Sequence, residues 1–327
     1  MTPPERASCR DSSNQEITPP RESEMNEPRA TQGTFRSGFV GVLGQTNVGK
    51  STFLNAVLRE KILLTSSKPQ ATRTRIRCIA STDKAQIVFV DTPGFHRPKT
   101  KLGRHLVREA YRAVRGIDVL LYVVEPWGRV HPLDLAVLDR LGDEPPPILL
   151  LVNKIDQAKG NALEETLLAY AATDRFAELI PISATQRKGL DDVVETVTRY
   201  LPVREPLFPI DAKHDLPDDF LIAELIREKV FQYTFRELPY SIAVRVKWIH
   251  VLEDRPIEIH AEIIVDRESQ KGIIVGKGGK MIRRIGTLAR ADIETLLGQH
   301  VYLELIAKVQ RRWTEDDDEI RKLTDAE

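Results

Sequence analysis

A chain of 327 residues is long enough for two domains, and its basic and acidic side chains both number 48, so no global field draws it to nucleic acid or membrane. Two cysteines, Cys9 and Cys78, without CxxC spacing argue against a disulfide framework or a zinc cluster and fit a reduced compartment. The longest apolar runs, Val119–Val124 and Ile148–Val152, are too short to span a bilayer, and the first residues hold no apolar stretch of a secretion signal.

Residues 1–36 carry five prolines, many charges and few large apolar side chains. Such a segment buries too little surface to offset its ordering entropy, and a disordered tail is expected. From 37 to 201, apolar runs alternate with helical periodicity. Strands are predicted at 39–43, 75–80, 86–90, 118–124, 148–152 and 179–182, and helices at 49–58, 101–115, 132–141, 162–170 and 190–200. That alternation predicts an α/β fold with a mostly parallel sheet, covered on both faces, whose ligands sit at the carboxyl ends of the strands. Residues 202–218, with prolines 202, 206, 209 and 217, read as an interdomain linker. An α+β module is predicted over 219–312, with helices at 219–235 and 280–297 and strands at 240–251, 257–266 and 301–309. The remainder, 313–327, acidic throughout 315–319, reads as a frayed tail.

Several motifs follow predicted strands. Gly44, Gln45, Thr46, Asn47, Val48, Gly49, Lys50 and Ser51 form GxxxxGKS between a strand and a helix, with Thr52 next in line. Glycines let such a loop curl its backbone N–H groups around a polyphosphate, Lys50 brings positive charge to the β- and γ-phosphates, and the Ser51 hydroxyl suits Mg²⁺. Asp91, Thr92, Pro93, Gly94 and Phe95 close another strand, where an Asp can hold Mg²⁺ through water and the Gly94 amide can meet a γ-phosphate. In Asn153, Lys154, Ile155 and Asp156 the carboxylate can accept from both N1–H and N2–H₂ of guanine, a donor pair that adenine lacks. Asn153 is expected at the purine N7/O6 edge, the Lys154 stem over the ring plane, and a backbone N–H of Ser183-Ala184 at guanine O6. These motifs favour GTP. Between the first two lies the stretch 67–75, SKPQATRTR, where Ser67, Thr72 and Thr74 compete to close onto the metal.

The C-terminal module holds Gly276, Lys277, Gly278 and Gly279, a GxxG turn between two helices. Such a turn brings backbone N–H groups and helix N-termini up to nucleic-acid phosphates. Residues 271–312 contain nine basic and three acidic side chains, a local excess in a neutral chain that marks a phosphate-facing surface with Lys277, Lys280, Arg283 and Arg284 in it. Bases are expected in the groove beside Ile273, Ile274 and Val275. Ile282, Ile285, Ala289, Ile293 and Leu296 recur at helical spacing and are expected in the core.

With GQTNVGKS, KPQATRTR, DTPGFH, NKID and SA in order, residues 38–201 resemble the Era/TrmE class of translation-factor GTPases. Residues 266–279 resemble the GxxG loop of a type II KH domain, and 301–305 its last strand. A GTPase followed by a KH module is the arrangement of the Era family of bacterial ribosome-assembly GTPases. The resemblance implies Mg²⁺ held by Ser51, Thr72 and Asp91, with Thr72 as the switch threonine, and K⁺ at Asn47. It also implies slow hydrolysis of GTP to GDP carried by Lys50, Thr72 and Gly94, with Phe95 standing where Ras-like GTPases have the water-orienting glutamine. Its partners would be the 3′ region of 16S ribosomal RNA and the small ribosomal subunit, and its place the cytoplasm, as a monomer, with a peripheral contact on the inner face of the membrane. Gln45-Thr46 departs from the Arg-Pro usual in the family, and Ala71 from a second threonine. The Phe95 substitution keeps a second reading open, an RNA-binding scaffold that holds GTP without turnover.

Overall fold

The computed structural model describes residues 35–60, 62–65, 72–98, 100–142, 144–234, 241–251 and 255–324. The N-terminal segment expected to be disordered lies outside the described residues up to position 34, as do 66–71 of the switch stretch and the last three residues. Thr34–Glu327 forms one compact unit.

A six-stranded sheet organises the first half. Its strands are β1 (Arg36–Gly44), β2 (Ile76–Ser81), β3 (Ala85–Asp91), β4 (Val119–Val124), β5 (Ile148–Val152) and β6 (Glu178–Pro181). They run in the order β2-β3-β1-β4-β5-β6, all neighbours parallel except the β2/β3 hairpin. Every residue of β3, β4 and β5 is buried, as strands covered on both faces require. Helices α1 (Lys50–Leu58) and α5 (Leu190–Tyr200) share one core with Val40, Val42, Phe89 and Leu121. Helices α2 (Lys101–Ala113), α3 (Pro132–Leu138) and α4 (Ala162–Ala171) share the other, with Leu43, Tyr122 and Leu150. The mostly parallel sheet expected from the alternation is the one observed. Its first strand starts earlier than predicted, and the expected tail loses residues 35 and 36. Arg36 N–H donates to the Lys84 carbonyl, and the Phe35 carbonyl accepts from Arg204.

Of the expected linker, residues 202–217 form a strap along the sheet and Asp218 already opens the next helix. Gln86, fully buried, accepts from the N–H groups of Leu207 and Phe208 and donates to the Phe208 carbonyl at 2.9 Å. Farther on, Ile79 N–H donates to the Lys213 carbonyl at 2.8 Å, so the strap covers the open edge of β2. Prolines make this segment irregular without making it loose.

The second module comprises α6 (Asp218–Tyr233), β7 (Ile242–His250), β8 (Ile257–Val265), α7 (Glu268–Val275), α8 (Lys280–Leu297) and β9 (Val301–Val309). The sheet order is β7-β8-β9, with β7 antiparallel and β9 parallel to β8. Its three helices cover one face, where Ile222, Ile226, Ile274, Ile285, Ala289 and Ile293 pack on Ile259 and Ile263. Leu296, expected in this core, is exposed.

The frayed acidic tail is corrected for the described residues 313–324. Trp313–Glu315 is a 3₁₀ turn and Asp317–Thr324 is a helix, α9. Asp316 accepts from the N–H groups of Asp318 and Glu319, and Asp317, Asp318 and Glu319 occupy the first helical turn, where carboxylates meet the positive end of the helix dipole. The acidic run is a helix start. Behind it, Trp313 and Ile320 pack in one cluster with Leu102 and Leu106 of α2, Ala243 of β7 and Ile264 of β8.

Candidate functional site

The phosphate loop joins β1 to α1. Gly44 has φ +148°, and a Cβ there would lie 2.3 Å from the Val123 carbonyl oxygen of β4. Asn47 and Gly49 also take positive φ, +67° and +97°, which curls the backbone between strand and helix. Lys50, 6% exposed, donates from Nζ to the carbonyls of Gln45 at 2.9 Å and Gly44 at 3.2 Å. Burial pushes its ammonium down to about 8, against the pull of the Asp91 charge.

Three oxygens meet beside it. Ser51 Oγ lies 3.0 Å from Thr72 Oγ1, and both hydroxyls donate to Asp91 Oδ2 at 3.1 Å. Asp91 Oδ1 is buried with no hydrogen-bond partner among the described residues. Burial raises the Asp91 carboxyl, while Lys50 and the two hydroxyls favour its charged form. Two hydroxyls and a buried carboxylate with one unsatisfied oxygen are the hard donor set that Mg²⁺ takes, so the residues fit that ion. Of the hydroxyls left open by the sequence, Ser67 lies outside the described residues, and Thr72 is brought to the other two donors.

The loop after β3 is tied to the phosphate loop by its backbone. Phe95 N–H donates to the Gly44 carbonyl at 3.0 Å, and Thr46 N–H to the Phe95 carbonyl at 3.1 Å. A Cβ on Gly94 would lie 2.7 Å from Thr46 Cα. The Thr92 hydroxyl donates to the Val42 carbonyl. The Phe95 ring is buried in the core, 4.9 Å from the Tyr111 ring, so this position offers no polar group to a water at the γ-phosphate.

Asn153 has a role beyond the one expected. It is buried; Nδ2 donates to the Val48 carbonyl at 2.8 Å and Oδ1 accepts from Ala184 N–H at 3.0 Å. Its amide therefore clamps the phosphate loop to the loop after β6. In the same loop Ser183 N–H donates to the Lys188 carbonyl and Ala184 N–H to Asn153 Oδ1. Asp156 stands exposed, oriented by a hydrogen bond from the Ser183 hydroxyl. Lys154, at φ +64°, spans from Asn47, whose carbonyl it meets at 2.7 Å, to Glu125 at 2.6 Å. One participant carries no motif. The buried Asp134 of α3 accepts from Gln45 Nε2 at 2.9 Å and from the hydroxyls of Tyr122 and Tyr170, anchoring the residue that departs from Arg-Pro.

The second module presents the GxxG turn between α7 and α8. Gly276, Gly278 and Gly279 all have positive φ, at +68°, +62° and +75°. A Cβ on Gly276 would lie 2.7 Å from Met281 Cβ, so this glycine is required by close approach as well as by φ. Lys277, Lys280, Arg283 and Arg284 are exposed, and the Arg284 guanidinium sits 4.3 Å from the Tyr233 ring centroid. Of the three groove residues expected to meet bases, Ile273 is exposed, but Ile274 points into the core and is corrected.

The comparisons agree with this geometry. A family model described as "50S ribosome-binding GTPase" matches residues 39–154, and one described as "KH domain" matches 237–314. GTPase Era of Geotalea uraniireducens is 45% identical over 88% of this chain and 96% of its own length. That of Trichlorobacter lovleyi is 46% identical over 90% and 99%. An Aquifex aeolicus Era variant bound to GDP·AlF₄⁻ superposes with a TM-score of 0.83 at 37% identity, covering 88% of this chain and 99% of that one. Era in complex with MgGDPNP and nucleotides 1506–1542 of 16S ribosomal RNA also gives 0.83, at 36% identity, covering 88% and 98%. The chain belongs to the Era family of GTPases, a phosphate-loop domain followed by a KH domain.

Proposed function

We propose that this GTPase is a guanine-nucleotide switch that grips the 3′ region of 16S ribosomal RNA through its KH domain and assists small-subunit assembly. The observation that carries the reading is the convergence of Ser51, Thr72 and Asp91 at 3.0–3.1 Å, because Thr72 belongs to the stretch that would follow the γ-phosphate. A bound Mg²⁺ supplies charge neutralisation on the phosphoryl oxygens. Lys50 brings a buried ammonium to the same oxygens, Gly94 offers its N–H where a Cβ would foul Thr46, and Asp156 selects guanine. The GxxG glycines with the exposed Lys277, Lys280, Arg283 and Arg284 take the RNA backbone, as the 16S RNA complex of the similar Era supports.

Phe95 leaves the attacking water without a side-chain partner, so hydrolysis is slow and rises with K⁺ at Asn47, whose positive φ turns the loop there. The protein works in the cytoplasm as a monomer, and its basic KH surface also gives it a peripheral contact with anionic membrane. No helix of the described residues is long and apolar enough to cross one. Phosphate release measured with Mg²⁺, with K⁺ against Na⁺, and with a 16S 3′ fragment tests this reading. Stimulation by K⁺ and by RNA, the latter lost in K277E/K280E, is expected. Absence of any stimulated turnover would favour a nucleotide-stabilised RNA scaffold.

A further inference from the structure

We propose that Arg73 is the residue that transmits the state of the nucleotide pocket to the KH domain, its guanidinium seated in a socket that the KH domain and C-terminal segment build together. The inference rests on the switch reading above. Thr72 and Arg73 are consecutive, with Cα atoms about 3.8 Å apart. Thr72 Oγ1 reaches Asp91 and Ser51 in the metal pocket, while Arg73 Nη1 donates to the Ile242 carbonyl at the start of β7, 2.5 Å away. Neighbouring residues of one loop thus end in two different domains.

Two aromatic rings face the cation in this socket. The Arg73 guanidinium carbon lies 6.0 Å from the ring centroids of both Phe231, on α6, and Trp313, after β9. Arg227 shares the Phe231 ring at 5.2 Å and is itself held by Glu224 through both Nε and Nη2. Arg73 is only 4% exposed. Arginine suits such a site because its flat, weakly hydrated head stacks on aromatic rings while still donating hydrogen bonds. Beside it lies a cavity of about 220 Å³ between Arg73, Thr74, α6, β7 and α9, which leaves room for the side chain to shift when the loop does. The socket draws on α6, the start of β7 and the segment after β9, so withdrawing the guanidinium loosens the seam that sets how the KH domain is held. Displacing Thr72 from the metal pocket pulls on the same backbone.

A residue that merely glues the domains would, when replaced, weaken RNA binding alike with either nucleotide. A transmitting residue would change the ratio. The test measures binding of a 16S 3′ fragment to full-length wild type, R73A and R73K, each with GDP and with a non-hydrolysable GTP analogue, and nucleotide binding without RNA. Wild type is expected to favour the analogue state at least tenfold, within the range of about 5–150-fold usual for coupled sites. R73A is expected to bring the ratio within about twofold of unity with nucleotide affinity changed less than about threefold, and R73K to fall between, having charge without the fork. An R73A ratio equal to that of wild type overturns the inference while leaving the switch reading intact. A wild-type ratio of one overturns the switch reading and this inference with it. Should R73A not fold, hydrogen exchange of wild type decides: stronger protection at the start of β7 with the analogue than with GDP supports transmission, and equal protection overturns it.

Discussion

Asn153 fills the space that Gly49 leaves empty. A Cβ on residue 49 would lie 2.4 Å from Asn153 Nδ2, and the backbone there has φ +97°. The phosphate loop is thus shaped from outside, by a side chain of the guanine motif, as much as by its own glycines. G49A is expected to weaken nucleotide binding by at least about tenfold, since strain and collision act at the same place. Gly298 is the control: its backbone is left-handed too, φ +67° and ψ +14°, but its Cβ would meet nothing within 4 Å among the described residues. G298A is expected to cost only about 1 kcal/mol of stability and no nucleotide affinity, as read by titration calorimetry and thermal melts.

Asn153 and Asp156 are expected to separate cleanly on substitution. N153A removes the hydrogen bonds to Val48 and Ala184, so GTP and GDP weaken alike while the preference for guanine stays. D156N turns the acceptor of guanine's N1–H and N2–H₂ into a mixed donor and acceptor. It is expected to lower GTP affinity about a hundredfold and raise that for xanthosine triphosphate, in competition titrations.

Nucleotide binding is expected to depend on pH through Lys50. Burial holds its ammonium down to about 8 in the free protein, and triphosphate oxygens favour the charged form, so binding raises that value and takes up a proton. Affinity is therefore flat below about 8 and falls by up to about tenfold per pH unit above it, until the value in the complex is passed. Calorimetry in buffers of different ionisation enthalpy should find uptake of roughly 0.1 proton at pH 7 and nearly one at pH 9. K50R should abolish that uptake.

The C-terminal segment is expected to matter to stability. Trp313 is 1% exposed and donates from Nε1 to the Ser241 carbonyl at 3.1 Å. W313A is expected to cost about 3–5 kcal/mol in denaturant unfolding, the range for emptying a large aromatic site. A truly frayed tail would give no change.

Most of the nucleotide site was legible because its chemistry is local. The phosphate loop, Asp91 and Asp156 each follow an apolar strand run, and the sheet delivers them to one edge without long-range information. What could not be read was decided by contacts between distant segments. That Asn153 also ties two loops together depends on where Val48 and Ala184 fall. Asp134 has no flanking signature, since its partners Gln45, Tyr122 and Tyr170 lie far off in sequence. The acidic run at 315–319 resembled a solvated tail because the apolar partners of Trp313 and Ile320 are supplied by α2 and the KH sheet. In the KH domain, period 3.6 identified Ile285, Ala289 and Ile293 as core, but the short α7 hid that Ile274 turns inward while Ile273 does not.

The claim that the γ-phosphate governs the grip on RNA is met most directly by equilibrium binding of a labelled 16S 3′ fragment to the full chain, saturated first with GDP and then with a non-hydrolysable GTP analogue at one fixed salt concentration. At least tenfold tighter binding in the analogue state is predicted. Equal dissociation constants would contradict the account.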